Sequence, residues 1–125
     1  MRHSVRITII RTARILLGIA ALLTLYEATI RHPVEMPHVD NADKMLHAFT
    51  FFCLAALKDM AFPNRRHLFR KVLGLMAFGV LIEVIQSWLP WRSADITDFL
   101  ADCTGITLYL VPSLLSRLVV RLHHE

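Results

Sequence analysis

Residues 69–89 read FRKVLGLMAFGVLIEVIQSWL, and no polar stripe runs through the centre of this segment. A helix at the surface of a soluble bundle would carry such a stripe along its length. Residues 10–30, IRTARILLGIAALLTLYEATI, show the same pattern. Each segment approaches the roughly 20 residues that a membrane-spanning helix needs, so both are predicted to cross a bilayer.

Two further apolar segments complete the predicted fold. The chain has 125 residues and is 55% hydrophobic, and its charged residues fall mostly in short segments between the apolar ones. We predict helices at about 11–29, 43–61, 68–88 and 95–120, the last one kinked near Pro112. The predicted fold class is an all-α, integral membrane four-helix bundle, forming a single domain over residues 1–125. The N-terminus also has features of a signal peptide, but further apolar residues follow Ala20 and Ala21, which favours an uncleaved first helix.

Basic residues are concentrated on one side of the predicted membrane. Because successive helices alternate in direction, eleven of the 14 Lys and Arg residues fall on one side, and only Arg31, Lys44 and Arg92 fall on the other. Cytoplasmic segments carry the excess of Lys and Arg, so both termini are predicted to be cytoplasmic. The excess of basic residues, which gives the chain a net charge of +4, is therefore explained by their location on one side of the membrane. No basic segment is interleaved with aromatic residues, so no nucleic-acid partner is expected.

Polar and ionisable residues gather at the predicted outer ends of the helices. These residues are Asp43, Lys44, His47, Glu83, Gln86, Arg92, Asp95, Asp98 and Asp102. At a rise of roughly 1.5 Å per residue, His47, Glu83 and Asp102 lie about 6 to 10 Å below the outer ends of their helices. Within each helix the polar residues share one face, which lipid would not accept. The side chains are therefore predicted to turn inward and to line an outward-opening, ligand-binding polar pocket.

The predicted pocket has more acids than bases. Six acids, Glu27, Asp43, Glu83, Asp95, Asp98 and Asp102, face two permanent cations, Lys44 and Arg92. Some carboxylates are then protonated, or the pocket holds a cation or an amine-bearing ligand. One imidazole with several carboxylates could also ligate a divalent ion, but no local spacing supports this, and neither a metal nor a cofactor is predicted. Cys53 and Cys103 are expected to pack as small apolar side chains.

Three blocks of the sequence resemble the VanZ-like family of small bacterial membrane proteins. DKMLHAFTFF contains Asp43, Lys44 and His47; IEVIQSWLP contains Glu83 and Gln86; RSADITDFLADCTG contains Arg92, Ser93, Asp95, Asp98, Asp102 and Gly105. Asp102 stands where the family usually has Asn, and a second glycine common further downstream is missing. The resemblance implies a four-span bundle in a bacterial cytoplasmic (inner) membrane and a cell-envelope setting. The family's namesake is associated with low-level resistance to the glycopeptide teicoplanin.

The leading functional hypothesis is a non-catalytic envelope protein whose pocket binds a membrane lipid or a lipid-linked cell-wall intermediate. Arg92 and Lys44 would hold a phosphate, and the acids would orient hydroxyls or amines. One alternative is a membrane-embedded enzyme acting on a lipid headgroup, with His47, Glu83 and Asp98 as candidate catalytic residues. The other is a structural subunit that forms a homo-oligomer or binds another membrane protein, with polar residues that only hold helices together.

Overall fold

The fold is seen in a computed structural model that describes residues 1–30, 42–64, 67–92 and 95–125, with side chains in the second range described from Lys44 onward. These residues form four α-helices and no β-strand: α1 Arg2–Thr29, α2 Ala42–Ala61, α3 Leu68–Trp88 and α4 Ile96–His124. The predicted all-α class with four helices is therefore confirmed. α1 begins at Arg2 rather than near residue 11, because no proline or glycine interrupts the chain before Gly18. α4 continues through Pro112.

The helix α2 occupies the centre of the structure. It packs most extensively against α4 and next against α1, while α3 contacts each of the other three helices. Within the described ranges α1 and α4 do not touch. Phe51 and Leu54 of α2, Ile82 of α3 and Ile106 of α4 form the middle of the buried core. The core is therefore a seam along α2 rather than a thick interior.

Side-chain contacts at the two ends of the structure show that α1 runs antiparallel to α2 and parallel to α3. Near the end of α1, the carbonyl oxygen of Thr29 accepts a hydrogen bond of 3.0 Å from Nε1 of Trp91, which follows α3. Nearer its beginning, Arg14 Nε donates to the carbonyl oxygen of Ala61, the last residue of α2, at 3.0 Å. The C-terminal end of α1 thus lies beside the C-terminal end of α3. The C-terminal end of α2 lies at the other end of the structure.

Around Asp59 of α2, an ion-pair network links three helices at the end opposite Trp91. Asp59 Oδ1 lies 3.3 Å from Lys71 Nζ of α3, and its Oδ2 accepts from the hydroxyl of Tyr109 at 2.6 Å and from Arg117 Nη2 at 3.2 Å. Lys71 is only 7% exposed. A buried ammonium group is costly unless it is paired, so the contact with Asp59 is what permits Lys71 to lie in this position.

The outer surface of the helices is strongly apolar. Leu22 of α1 is 69% exposed and Phe69 of α3 is 77% exposed, and many other large apolar side chains lie outward in the same way. Exposed apolar surface on this scale marks a region that a membrane or another protein covers. Two of the described helices, α1 and α4, are long and apolar enough to cross a membrane. Charged residues such as Lys58 and Glu83 interrupt α2 and α3, so spans by these two helices remain a prediction.

Gly105 brings the backbones of α4 and α2 together. A Cβ atom added to Gly105 would lie 2.0 Å from the carbonyl oxygen of Ala48 and 3.0 Å from its Cα. No side chain fits at such a distance, so the close approach of the two helices depends on the absence of a side chain at this position. The approach lies beside the polar residues at the starts of both helices, and it sets the distance between them.

We expect Gly105→Ala to destabilise the protein by about 1 to 3 kcal/mol, because the added methyl group meets backbone atoms that cannot turn aside. Thermal unfolding of the purified protein in detergent would measure the effect. Gly18→Ala in α1 is the matched control, since a Cβ there meets nothing within 4 Å. The control should be neutral or slightly stabilising, because alanine favours helix more than glycine does. Equal stability of the two variants would contradict the proposed role of Gly105.

Candidate functional site

A histidine–aspartate pair links α2 to α4 at the centre of the candidate site. His47 Nδ1 lies 2.9 Å from Asp102 Oδ1, and Asp102 is only 1% exposed. Because a carboxylate can only accept a hydrogen bond, Nδ1 carries the hydrogen when Asp102 is ionised. The other ring nitrogen, Nε2, lies 4.0 Å from Asp98 Oδ2, one helical turn earlier in α4. The imidazole is therefore held between two carboxylates.

Lys44 extends this contact toward the ends of the two helices. Its Nζ lies 3.6 Å from Asp95 Oδ2 and 3.6 Å from Asp98 Oδ1. The Lys44 side chain is 35% exposed, so the ammonium group lies at the edge of the buried region. Lys44 and His47 share one face of α2, and Asp95, Asp98 and Asp102 share one face of α4. The two faces meet because Gly105, further along α4, allows the helices to approach.

Asp95 begins α4 and also contacts α3. Its Oδ1 accepts the backbone N–H of Thr97 at 2.9 Å, which is the usual role of an N-cap residue. Its own backbone N–H donates to Glu83 Oε2 at 3.1 Å. The hydrogen bonds from Thr97 hold the pKa of the Asp95 carboxyl below its usual value, and attraction to Lys44 acts in the same direction. Asp95 therefore remains ionised at neutral pH.

Glu83 places a third helix beside the histidine–aspartate pair. One oxygen or nitrogen atom from each of His47, Glu83 and Asp102 lies within 4.8 Å of the others. Gly79, one turn before Glu83, leaves the room that Asp102 occupies, since a Cβ there would lie 3.1 Å from Asp102 Oδ2. One imidazole and two carboxylates from three helices are donors that a divalent cation accepts. The same imidazole and carboxylates can equally bind a proton or the ammonium group of a ligand.

We call the six converging residues the polar cluster: Lys44, His47, Glu83, Asp95, Asp98 and Asp102. Its four carboxylates outnumber the ammonium group of Lys44 and the imidazole of His47. Two acids are largely removed from solvent, since Asp98 is 7% and Asp102 is 1% exposed. Such an excess of negative charge favours bound protons, cations or ligand groups that donate hydrogen bonds. Chemically, the cluster is equipped to orient hydroxyl or amine groups and to move a proton through His47.

Gln86 and Arg92, also predicted to bind ligand, contact the end of α1 rather than the polar cluster. Gln86 Nε2 donates to the carbonyl oxygen of Ala28 at 3.2 Å. Arg92 Nη2 donates to the carbonyl oxygen of Glu27. The last carbonyl groups of a helix have no partner within the helix, so these contacts satisfy two of them. The side chain of Asp43, the remaining predicted residue, lies outside the described part of the chain.

Gly79 and Thr97 contribute to the site, and Trp91 to the contact with α1 beside it, although none of these roles was predicted from the sequence. Gly79 lies four residues before Glu83, and Gly105 lies three residues after Asp102, so each glycine shares a helix face with polar residues. A glycine on the polar face of a helix indicates close packing at that face, and the sequence shows this feature. The contact of Trp91 with the end of α1 had no such signal, because it depends on how the two chain segments meet.

The N-cap at Asp95 gives a test with a defined pH dependence. We expect Asp95→Ala to lower the unfolding temperature at pH 7. Asp95→Asn should lower it much less, because asparagine also caps helices well. A carboxylate with a lowered pKa stabilises the fold above its ordinary value of 3.8 and loses this effect as the pH falls through the lower folded value. The stability difference between wild type and Asp95→Asn should therefore shrink below about pH 4. Thermal unfolding of the three proteins between pH 3 and 7 would measure this, and a difference independent of pH would argue against an ionised cap.

Comparison with known proteins supports the resemblance seen in the three sequence blocks. Residues 5–117 match the model of the family described as VanZ/LLP1. No curated protein and no solved structure shows significant similarity to the chain. Together with the two apolar helices, the family match indicates a membrane protein. Since the match covers nearly the whole chain, the chain belongs to the VanZ/LLP1 family.

Proposed function

We propose that all four helices cross the bacterial cytoplasmic membrane, with both termini in the cytoplasm and the polar cluster in the outer half of the bilayer. The antiparallel arrangement supports this topology, because nine of the 11 Lys and Arg residues that the structure describes lie toward the end opposite the polar cluster. The apolar outer surface of the helices supports it too. α2 and α3 would tolerate the bilayer because their polar side chains, such as His47 and Glu83, contact other helices rather than lipid.

We further propose that the polar cluster binds the headgroup of a cell-envelope lipid or of a lipid-linked envelope intermediate. The observation that carries this proposal is the convergence of His47, Glu83 and Asp102 from three helices within 4.8 Å. Carboxylates in this arrangement accept hydrogen bonds from headgroup hydroxyls or amines. Headgroups of this kind lie at the depth of the cluster, and acyl chains would leave between helices into the surrounding lipid.

A phosphate on the same ligand has two candidate cationic partners. Lys44 lies at the edge of the cluster, and its contacts with Asp95 and Asp98 are long at 3.6 Å, so a phosphate could compete for the ammonium group. Arg92 uses Nη2 for the carbonyl oxygen of Glu27, while its buried Nε has no hydrogen-bond partner among the described residues. A guanidinium group with donors remaining suits paired hydrogen bonds to phosphate.

A second candidate function is catalysis on such a headgroup, and the His47–Asp102 pair favours it. A histidine held by a carboxylate at 2.9 Å is the arrangement by which proteins orient a general base. His47 Nε2 would then take a proton from a ligand hydroxyl or water, and Asp98 or Glu83 would act as the acid. Family membership supports a membrane setting for both candidate functions, and it makes reduced sensitivity to glycopeptides a phenotype to measure.

Lipid retained by the purified protein tests binding directly. We expect mass spectrometry to find an envelope lipid with the wild type, and His47→Gln or Asp98→Asn to reduce its amount about tenfold, because each loses a contact to a charged group. Glu125→Gln is the matched control, since it also converts a carboxylate into an amide but lies at the far end of α4.

The outcomes of this experiment separate the three candidate functions. Selective loss of lipid in the two cluster variants supports binding. If the retained lipid is then added back in excess, its conversion to a product of different mass by the wild type, but not by His47→Gln, supports an enzyme. Unchanged lipid content in His47→Gln and Asp98→Asn, with a lowered unfolding temperature, would instead identify the polar cluster as a purely structural contact between helices.

Cysteine labelling tests the proposed topology. In a variant with Cys53 and Cys103 replaced by serine, Ser87→Cys near the end of α3 should react with a membrane-impermeant maleimide in intact cells. Glu125→Cys at the C-terminus should react only after the membrane is opened, because it is predicted to be cytoplasmic. Reaction of both cysteines from the same side would contradict a membrane-crossing α4.

A further inference from the structure

A cavity of about 350 Å³ lies at the end opposite the polar cluster, and four of the eight described residues that line it are Lys or Arg. Its lining includes the side chains of Arg14 of α1, Lys58 and Phe62 at the end of α2, and His67, Arg70 and Lys71 at the start of α3. Pockets that hold small ligands begin at about 300 Å³, so this volume suits a headgroup-sized molecule. We call this feature the basic cavity.

Three of the four Lys and Arg residues that line the basic cavity make no ion pair with a carboxylate of the described chain. Asp59 is not among the residues that line the cavity, and it pairs with Lys71 and Arg117. Among the described residues, Arg14, Lys58 and Arg70 have no acidic partner within ion-pair distance. Three positive charges around one cavity repel one another, so an anion that entered would be attracted by all three.

Arg14 is held in place by local contacts, and Lys58 occupies space left by a glycine. Arg14 donates from Nε to the carbonyl oxygen of Ala61 at 3.0 Å, and its guanidinium lies 4.8 Å from the centre of the Phe62 ring. Lys58 Nζ lies against Gly74 of α3, at 2.5 Å from the position that a Cβ would occupy there. The absence of a side chain at Gly74 therefore leaves space for the ammonium group of Lys58.

The start of α3 adds a further positive contribution. His67 is the N-cap, but its side chain makes no capping hydrogen bond, and the first turn of α3 has no acidic residue. The first N–H groups of a helix carry partial positive charge and suit an anion. Here they lie at the edge of a cavity that already contains three cations without acidic partners.

We infer that the basic cavity binds a phosphate group, supplied either by the headgroup of an anionic phospholipid or by a soluble phosphate ester. Arg14 and Arg70 would donate paired hydrogen bonds to the phosphate oxygens, and Lys58 would act as a point charge. Phe69 and Leu73 are exposed on α3, next to the lining residue Arg70 and one turn after it, and their apolar surface would accommodate acyl chains. In the proposed topology, this site faces the cytoplasmic leaflet, where basic pockets between helices bind acidic headgroups.

The test uses the full chain in a non-ionic detergent and measures thermal unfolding during titration with short-chain lipids. We expect dihexanoyl phosphatidylglycerol to raise the unfolding temperature to saturation and dihexanoyl phosphatidylcholine to have little effect. Lys58→Gln and Arg70→Gln should each weaken the phosphatidylglycerol affinity about tenfold, whereas Lys58→Arg should stay close to wild type. Inorganic phosphate distinguishes the sources: saturating stabilisation by phosphate alone indicates a soluble ester, and its absence indicates a lipid.

Arg6→Gln is the matched control, because it removes one exposed positive charge from α1 outside the basic cavity. Affinity unchanged in Arg6→Gln but lost in Arg70→Gln supports the site. Equal losses in the two variants would show a general attraction to basic surface and would overturn the inference, as would equal stabilisation by phosphatidylcholine. Arg70 is exposed, so Arg70→Gln is expected to fold even if Lys58→Gln does not. Because the residues of the basic cavity differ from those of the polar cluster and are tested by different variants, either proposal can fail without the other.

Discussion

The structure depends on the close approach of α2 and α4 at Ala48 and Gly105. This approach brings His47 within hydrogen-bonding distance of Asp102, which is almost completely buried. Burying a carboxylate without partners costs several kcal/mol. This cost is comparable to the free energy of unfolding of a whole domain. A single residue without a side chain thus allows the protein to retain acids where apolar side chains would otherwise be expected.

Polar groups lie at both ends of the structure, and they differ in charge. At the end that contains the polar cluster, carboxylates outnumber cations, and Lys44 is held by Asp95 and Asp98. At the opposite end, cations outnumber carboxylates, and Asp59 accepts contacts from Lys71 and Arg117. The excess negative charge at one end would attract a positively charged ligand group, and the excess positive charge at the other would attract a negatively charged one. The apolar middle of the helices keeps the two regions apart, so they would act on separate ligands.

At the end of α1, polar side chains from α3 and the segment after it stabilise the fold directly. Gln86, Trp91 and Arg92 donate to the carbonyl groups of Ala28, Thr29 and Glu27, which the helix itself leaves without partners. In a region without water these carbonyl groups would otherwise remain unsatisfied. Of the residues predicted to bind ligand, Gln86 and Arg92 therefore also stabilise the end of α1.

Much of the candidate site was predictable because helical spacing is a local property. The i, i+3 and i+7 spacing of Asp95, Asp98 and Asp102 places them on one face whatever the rest of the chain does. The same holds for Glu83 with Gln86 on α3. Pairing between helices was not predictable in this way, since it depends on the rotation and separation of whole helices. Neither the partner of His47 nor the basic cavity between α1, α2 and α3 follows from spacing within one helix.

The sequence by itself determined the all-α class, the number of helices and the family, because these follow from apolar segment length and from local motifs. It also determined which end of each helix carries acids and which carries bases. Only the tertiary structure decided which acid meets which base, and that Gln86 and Arg92 contact α1. The physical reason is that hydrogen bonds and ion pairs act over a few ångströms. Helix spacing at Gly105 and Gly79 sets those distances, and no single segment of the chain contains that information.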